Sequence, residues 1–434
     1  MSSHAAILSG LGRHLRKCHH WRHIVCAFIF AGAGSLQAQI PLAGVIEARG
    51  VGAAAASSFK NGYLMAIDEI NNKGGVLGQK LVLDQFDIDT STDAAAVAMK
   101  SALAKKPFAV LGPQFSGITA AAMKFSAADA VPHFTGGEAA TLTRRFHPSL
   151  LRTSLSQTGS VPRLSALAAF GLRAKSVGIL WIDNDFGRDA RAAMTELFRR
   201  RSVNIAFDAK IKPGQKDFGE MVAALKASKV DAIVLYATEL ESIEALKALR
   251  QSGLSRPIVA DGLVASQKVI EGAAGAADGV LVHMNNSVDT PSAQMQAFVR
   301  RYEARYSARP DLNSIKGFFA VQMIKAGIEV AGKVDRAAFL TAVRSTRFDS
   351  ERFPDLLGTV SYDWFGDLNR TSYFAVIRKG RPQIIASMRL TEGGMVELAD
   401  GRLITLDSAE FRRELSKTLA PIGESAAAST SPRN

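Results

Sequence analysis

Short apolar runs alternate with longer stretches of helical period along most of this chain. IPLAGVIE (40–47) is continuously apolar and aliphatic, which predicts a buried strand. In FKNGYLMAIDEINNKGG, Phe59, Leu64, Ala66, Ile67 and Ile70 recur near helical spacing. They predict a helix over about 57–72, stopped by Gly74 and Gly75. The alternation continues with strand KLVLDQFD, helix TDAAAVAMKSALAKK, strand FAVLG, helix GITAAAMKFSAADA, strand and turn VPHFTGG, and short strand SLLRTS. From about 156 it starts again: a helix at 160–171, strand SVGILWID, a helix at 187–201, strand VNIAFDAKI and helix DFGEMVAALKAS. Strand DAIVLYA, helix ELESIEALKALRQSG and strands PIVAD and GVLVHMN complete the second series.

Repeated strand–helix units imply parallel sheets with right-handed crossovers. Two series in one chain therefore predict an α/β protein of two doubly wound parallel-sheet lobes. Helices at 291–308 and 312–331 have no sheet of their own and are expected to cover the first lobe. A helix at 335–349 and late strands in TVSYDW and SYFAVIRKG follow. PIGESAAASTSPRN, from 421 to the end, reads as a flexible low-complexity tail. A length of 434 residues, with 47% hydrophobic and 21% charged residues, fits a globular chain too long for one core.

The first 38 residues break the pattern. Arg13, Arg16, Lys17 and Arg22, five histidines and no acid precede the apolar run IVCAFIFAGAG and then SLQAQ. A basic segment, a short apolar core and small residues before Ala38 predict a cleaved secretory signal peptide and a periplasmic protein, with an uncleaved anchor as the alternative. Both cysteines, Cys18 and Cys26, lie there, so no disulfide framework is expected. The formal charge of +13 falls to +9 without this segment, and the remaining Lys and Arg are scattered among acids. With 7% aromatics and no nucleic-acid motif, this excludes a nucleic-acid binder and leaves a surface that mildly favours anions.

Glycine-containing turns at strand ends carry the candidate chemistry. GVGAAA (50–55) satisfies G-x-G-x-x-A, yet Asp84, Asp87 and Asp89 lie over 30 residues on, and the helix is expected to start several residues after the glycines. The dinucleotide fingerprint needs an acid about 20 residues away. GIEVAGKV (327–334) ends in Val334, which cannot bind magnesium, and it closes a helix. In AVLGPQFSGITAAA, Gln114 stands where a nucleophile elbow needs glycine, and nothing orders a triad around Ser116. His133 sits in an apolar strand and reads as structural. No metal-binding spacing occurs, so neither a metal nor any other cofactor is expected, and no catalytic residue is assigned.

Ser116 and Gly117 instead open a helix, whose free N–H groups and positive dipole end favour a bound anion. Simple capping of that helix is the alternative. TGGEAATLT repeats the arrangement one strand later, Glu138 adding either a carboxylate for a ligand amine or compensation of the helix dipole. WIDNDFGRDA, ATELES and VADG place Asn184, Asp185, Phe186, Thr238, Glu239, Glu241 and Asp261 at equivalent junctions of the second series. All lie at the carboxyl ends of predicted strands, where open α/β sheets bind ligands.

These segments, in this order, resemble the type I periplasmic binding proteins, and within them the leucine/isoleucine/valine-binding receptors of ABC importers. The matching runs are NGYLMAIDEINNKGGVLGQKLVLDQFDIDTSTDAA, VLGPQFSGITAAA, TGGEAATLT, DFGRDA and KPGQKDFGEMVAAL, within residues 40–380. The resemblance implies two lobes joined by a multi-segment hinge: 39–155 with 285–362, and 156–284 with 363–420. It implies a monomer that captures a small-molecule ligand, a branched-chain or related amino acid, and hands it to an ABC permease complex in the inner membrane. No enzymatic activity follows; a ligand-sensing module, or a binder of another carboxylate or amide, are the alternatives.

Carried over by the resemblance, Ser116 holds the ligand carboxylate beside Gly117, and Gly137 gives a backbone contact. Glu138 or Ala139 takes the place of a hydroxyl contact. Phe186 and Thr238 face the ligand from the second lobe, Asp261 receives its amine, and Asn313 lies near a further contact. Lys316 reads as a surface lysine, a cleft-facing position being the alternative. The tyrosine of the first loop is replaced by Ala55.

Overall fold

The computed structural model describes residues 38–144, 147–388 and 395–428, with side chains as far as 419. The signal-peptide reading of 1–38 thus falls almost wholly outside the described residues.

The chain opens with β1 (Gln39–Arg49), and α1 (Ala53–Asn72) begins directly after Gly52. This helix starts four residues earlier than its apolar period suggests, because Ala53–Ala56 continue the helix without large side chains. Next come β2 (Lys80–Asp89), α2 (Thr92–Ala104), β3 (Ala109–Leu111), α3 (Ser116–Ala128), β4 (His133–Thr135), α4 (Thr141–Arg144) and β5 (Leu150–Arg152). The five strands form one parallel sheet in the order β2-β1-β3-β4-β5. Its interior strand β1 is buried from Leu42 to Ile46 and has helices on both sides, so it carries no alternation.

α5 (Gln157–Ala166) leads to β6 (Ser176–Ile182), α6 (Asp185–Arg200), β7 (Asn204–Ile211), α7 (Gly219–Ala227) and β8 (Ala232–Tyr236). α8 (Glu239–Gln251), β9 (Ile258–Asp261), α9 (Gln267–Gly272) and β10 (Leu281–Met284) continue the series. The chain then returns to the first sheet with α10 (Ala293–Tyr306), α11 (Leu312–Ala331), α12 (Arg336–Ser345) and the hairpin β11 (Val360–Tyr362) and β12 (Leu368–Arg370). Finally β13 (Ser372–Arg378), β14 (Arg381–Met388), β15 (Met395–Leu398), β16 (Leu403–Thr405) and α13 (Ala409–Ala428) lie with the second sheet.

That sheet has the order β16-β15-β14-β13-β10-β9-β8-β6-β7. β7 to β10 are parallel, and β13 joins β10 antiparallel to begin a meander. The antiparallel strands extend the parallel part of this sheet, which the sequence predicts. Residues 421–428 continue α13 instead of opening a flexible tail, and 429–434 lie outside the described residues. Val360, Tyr362 and Leu368 share the first sheet's core while Phe374 lies in the second's. The last crossing therefore falls between Arg370 and Ser372, beyond the boundary at 362–363 read from the sequence.

α11 packs on α1 through a backbone notch. A Cβ on Gly317 would stand 1.9 Å from the carbonyl oxygen of Phe59, and one on Gly62 would stand 2.0 Å from that of Ser314. Only glycine lets these helices approach so closely. The start of α11 is fixed by a capping box, Asp311 accepting from the Ser314 N–H while the Ser314 hydroxyl accepts from the Asp311 N–H.

Candidate functional site

The carboxyl ends of β1, β3 and β4 face those of β6, β8 and β9 across a cavity of about 300 Å³. One wall is formed by Val51, Ala55, Thr90, Thr92, Gln114–Ile118, Gly136–Glu138, Asn313 and Lys316. The other carries Asn184, Phe186, Pro213, Thr238–Glu241 and Leu263.

The 112–116 turn is pinned from β1. The Glu47 carboxylate accepts from the Gln114 N–H at 3.1 and 3.0 Å and from the Phe115 N–H at 3.0 Å. Burial raises the pKa of Glu47, and these backbone donors act against that shift. Phe115, not Ser116, is the residue capping α3, and its side chain gives no cap bond. The N–H groups of Ser116, Gly117 and Ile118 have no acceptor among the described residues. The Phe115 ring also lies 2.5 Å from where a Cβ on Gly52 would stand, and Thr90 Oγ1 accepts from the Gly52 N–H. The GVG turn does run straight into a helix, with this ring packed against Gly52.

Ser116 does not cap its own helix but joins two loops. Its Oγ accepts from the N–H groups of Glu138 and Ala139 at 3.1 and 3.0 Å. It thereby ties the helix start to the 136–139 loop, and its own proton stays available to the cavity. Gly137 N–H donates to Thr135 Oγ1 at 3.0 Å, so the amides expected to hold an anion in this second loop are already engaged. Behind the loop lies Arg152, wholly buried. Its guanidinium donates to the carbonyls of Gly137 and Ala139 at 2.8 Å each, to Thr143 Oγ1 at 3.0 Å and to Asp367 at 2.5 Å.

Glu138 and Lys316 meet inside the cavity wall. Lys316 Nζ lies 2.7 Å from Glu138 Oε1 and 3.4 Å from the Gly136 carbonyl, and the lysine side chain is only 2% exposed. The same Oε1 accepts from Ser154 Oγ at 2.9 Å and Asn285 Nδ2 at 3.1 Å. The surface-lysine reading of Lys316 is thus corrected, because α11 presents this residue on its buried side beside the glycine notch. Glu138 is held by a protein cation and is not simply compensating a helix dipole.

Gln114 Nε2 donates to Asn313 Oδ1 at 2.7 Å, which leaves Gln114 Oε1 and Asn313 Nδ2 buried and unpartnered. Whichever way the two amides are turned, the pair keeps one spare acceptor and one spare donor at the wall.

Phe186 stacks on Tyr236 with ring centroids 4.6 Å apart. Gln157 holds this pair, donating to the Phe186 carbonyl at 2.6 Å and to the Tyr236 hydroxyl at 3.1 Å, while its Oε1 accepts from Ala140 N–H. Thr238 precedes α8, and its hydroxyl donates to Glu241, whose other oxygen accepts from the Gly214 N–H at 2.7 Å. Glu239 pairs with Lys268 at 3.5 Å, and burial raises its pKa.

Of the nine site residues read from the sequence, Ser116, Gly117, Gly137, Glu138, Phe186, Thr238 and Asn313 line this one cavity. Ala139 does not: it is wholly buried behind the loop among Met123, Leu142 and Leu150. Asp261 is also off the wall, its Oδ1 accepting from the Leu263 N–H at 3.0 Å so that Leu263 faces the cavity instead. Burial, reinforced by the nearby charge of Glu138, pushes the Asp261 pKa up to about 7. Gln114, Phe115 and Leu263 were not singled out in the sequence. Gln114 and Phe115 had the available signal of lying between a strand end and a helix start, whereas Leu263 had none.

The periplasmic binding protein family model matches residues 39–382. The Leu/Ile/Val-binding protein BraC3 of Rhizobium johnstonii is 25% identical over 335 residues, 77% of this chain and 88% of that protein. The Streptococcus pneumoniae branched-chain amino acid transporter substrate-binding protein LivJ, solved with isoleucine, superposes with a TM-score of 0.72 at 22% identity. It covers 81% of this chain and 99% of its own. An ABC transporter solute-binding protein of R. palustris, solved with benzoate, gives 0.73 at 18% identity, covering 81% and 98%. With two such sheets, a cavity between their carboxyl ends and a family match over most of its length, the chain belongs to the periplasmic binding proteins.

Proposed function

We propose that this protein is an extracytoplasmic receptor that captures a small carboxylate solute between its two lobes and delivers it to an ABC importer. The ligand class is that of small carboxylic acids, of which branched-chain amino acids are one kind. The observation that carries the reading is a shared cavity of about 300 Å³ to which both sheets contribute. Neither half encloses a ligand alone, so binding favours the state in which both touch it. Free N–H groups at the start of α3, the Ser116 hydroxyl and the Lys316 ammonium supply donors for a carboxylate. Phe186, Ile118, Leu240 and Leu263 supply an apolar seat for its body. Relatives solved with isoleucine and with benzoate mark two kinds of acid this fold encloses. No bond is made or broken, and the basic N-terminal segment supplies export.

The test is isothermal calorimetry of the mature protein against amino acids and simple carboxylic acids, with the ligand recovered and quantified afterwards. Saturable one-to-one binding with full recovery is expected. Consumption of the ligand, or no binding to any acid, overturns the proposal.

A further inference from the structure

The wall of the cavity is unequal in what it leaves free. Each carboxylate on it already has a protein partner: Glu138 has Lys316, Ser154 and Asn285; Glu239 has Lys268; Glu241 has Gly214 and Thr238. Asp261, the acid expected to receive a ligand amine, is not among the residues lining the cavity, and its Oδ1 accepts from the Leu263 N–H. Donors, by contrast, are in surplus. They are the three N–H groups opening α3, the Ser116 hydroxyl proton, the buried unpartnered Asn313 Nδ2, and the third N–H of Lys316, whose other two have acceptors.

A zwitterionic amino acid needs an anion for its ammonium group as well as donors for its carboxylate. Here a carboxylate and a backbone carbonyl do converge, at Glu138 Oε1 and Gly136, but the Lys316 ammonium sits between them. A ligand ammonium directed there would meet a like charge at short range in a water-poor space, where repulsion is strong. The spare acceptor of the Gln114–Asn313 pair is neutral and suits a hydroxyl.

We propose, on the small-carboxylate reading above, that Lys316 is a built-in substitute for the ligand's ammonium group. The cavity then selects small carboxylates that lack an α-amino group. The carboxylate lies at the start of α3 with Ser116 and Lys316 as donors, and the apolar body lies against Phe186 and Leu263.

Calorimetry would compare L-leucine and L-isoleucine with 4-methylpentanoate, 2-hydroxy-4-methylpentanoate and benzoate. At least one acid without the amino group is expected to bind about tenfold or more tightly than either amino acid. Lys316→Met, which keeps the stem and removes the charge, should shrink that ratio. Should Lys316→Met fail to fold because Glu138 is left buried without its cation, the double variant Lys316→Met/Glu138→Gln removes both charges and takes its place. Tighter binding of leucine or isoleucine to the wild-type protein overturns the inference, as does a ratio unchanged in the folded variant. Absence of binding by all five acids overturns the small-carboxylate reading itself, and this inference with it.

Discussion

Replacing Ser116 by alanine tests the join between the two loops that shape the first wall. The hydroxyl oxygen is the acceptor for two backbone N–H groups, those of Glu138 and Ala139. A buried donor left without an acceptor costs about 1–3 kcal/mol, so two give about 2–6 kcal/mol. Ser116 lines the cavity, where water can reach the vacated position, which favours the low end, about 2–3 kcal/mol. With an unfolding entropy of about 2.1 cal/mol/K per residue, a chain of this length should lose roughly 2–3 °C in Tm. Affinity should fall separately, because a hydrogen bond to a charged group contributes about 1.5–3 kcal/mol. Scanning calorimetry of the ligand-free variant measures the first effect, and titration of the best ligand well below Tm measures the second. A Tm within about 1 °C of wild type would show that the loop does not depend on this oxygen. Unchanged affinity would remove Ser116 from the ligand's surroundings.

Three further outcomes are expected. Gly317→Ala should destabilise by about 3 kcal/mol or more in urea unfolding, since its methyl would enter the Phe59 carbonyl; near-wild-type stability would refute the notch. His133 is fully buried, and burial, with the neighbouring His147 contributing, pushes its pKa down to about 3. An unfolded histidine titrates near 6.5, so the neutral ring's contribution is complete above that pH and is lost as pH falls toward 3. Unfolding free energy should thus fall from pH 7 to 4, and His133→Gln should flatten the slope; an unaltered slope would refute this. Asp261 acts in the opposite direction. Its raised pKa means the protonated form favours folding below about 4, and that contribution is lost as pH rises through about 7. An anionic ligand raises the Asp261 pKa further, so binding near pH 7 should take up a fraction of a proton, measured by titration in buffers of different ionisation heat. Asp261→Asn should abolish the uptake, and persistence in that variant would refute the assignment.

The fold was legible wherever local pattern and burial agree. β1, β6 and β8 are buried on both faces and read as unbroken apolar runs, and α8 announces its start with Thr238 and two glutamates. The meander from β14 to β16 was not legible, because its half-exposed strands mix Arg381, Gln383 and Glu397 with apolar residues. The site was legible to the level of which loops meet. Ser116, Gly137 and Phe186 lie at strand ends, and topology alone brings such ends together. Orientation was not legible. Whether Asp261 points into the cavity or caps its own turn depends on one rotamer, and both choices satisfy the same sequence. Lys316 was misread for a related reason: a lysine is ordinarily solvated, and its burial follows from Glu138, placed 178 positions away by a third passage of the chain.

The glycine notch has a consequence for recognition. Lys316 immediately precedes Gly317, and the backbone there touches α1 without any side chain between, so α11 cannot slide or roll without losing the contact. A lysine stem carries roughly 2 kcal/mol of rotamer freedom. Here that freedom is surrendered when the chain folds, with Glu138 and the Gly136 carbonyl as fixed stops. A ligand that arrives at the cavity meets an ammonium already held in place, and its selection against the wrong charge is set by a helix crossing far from the ligand's own atoms.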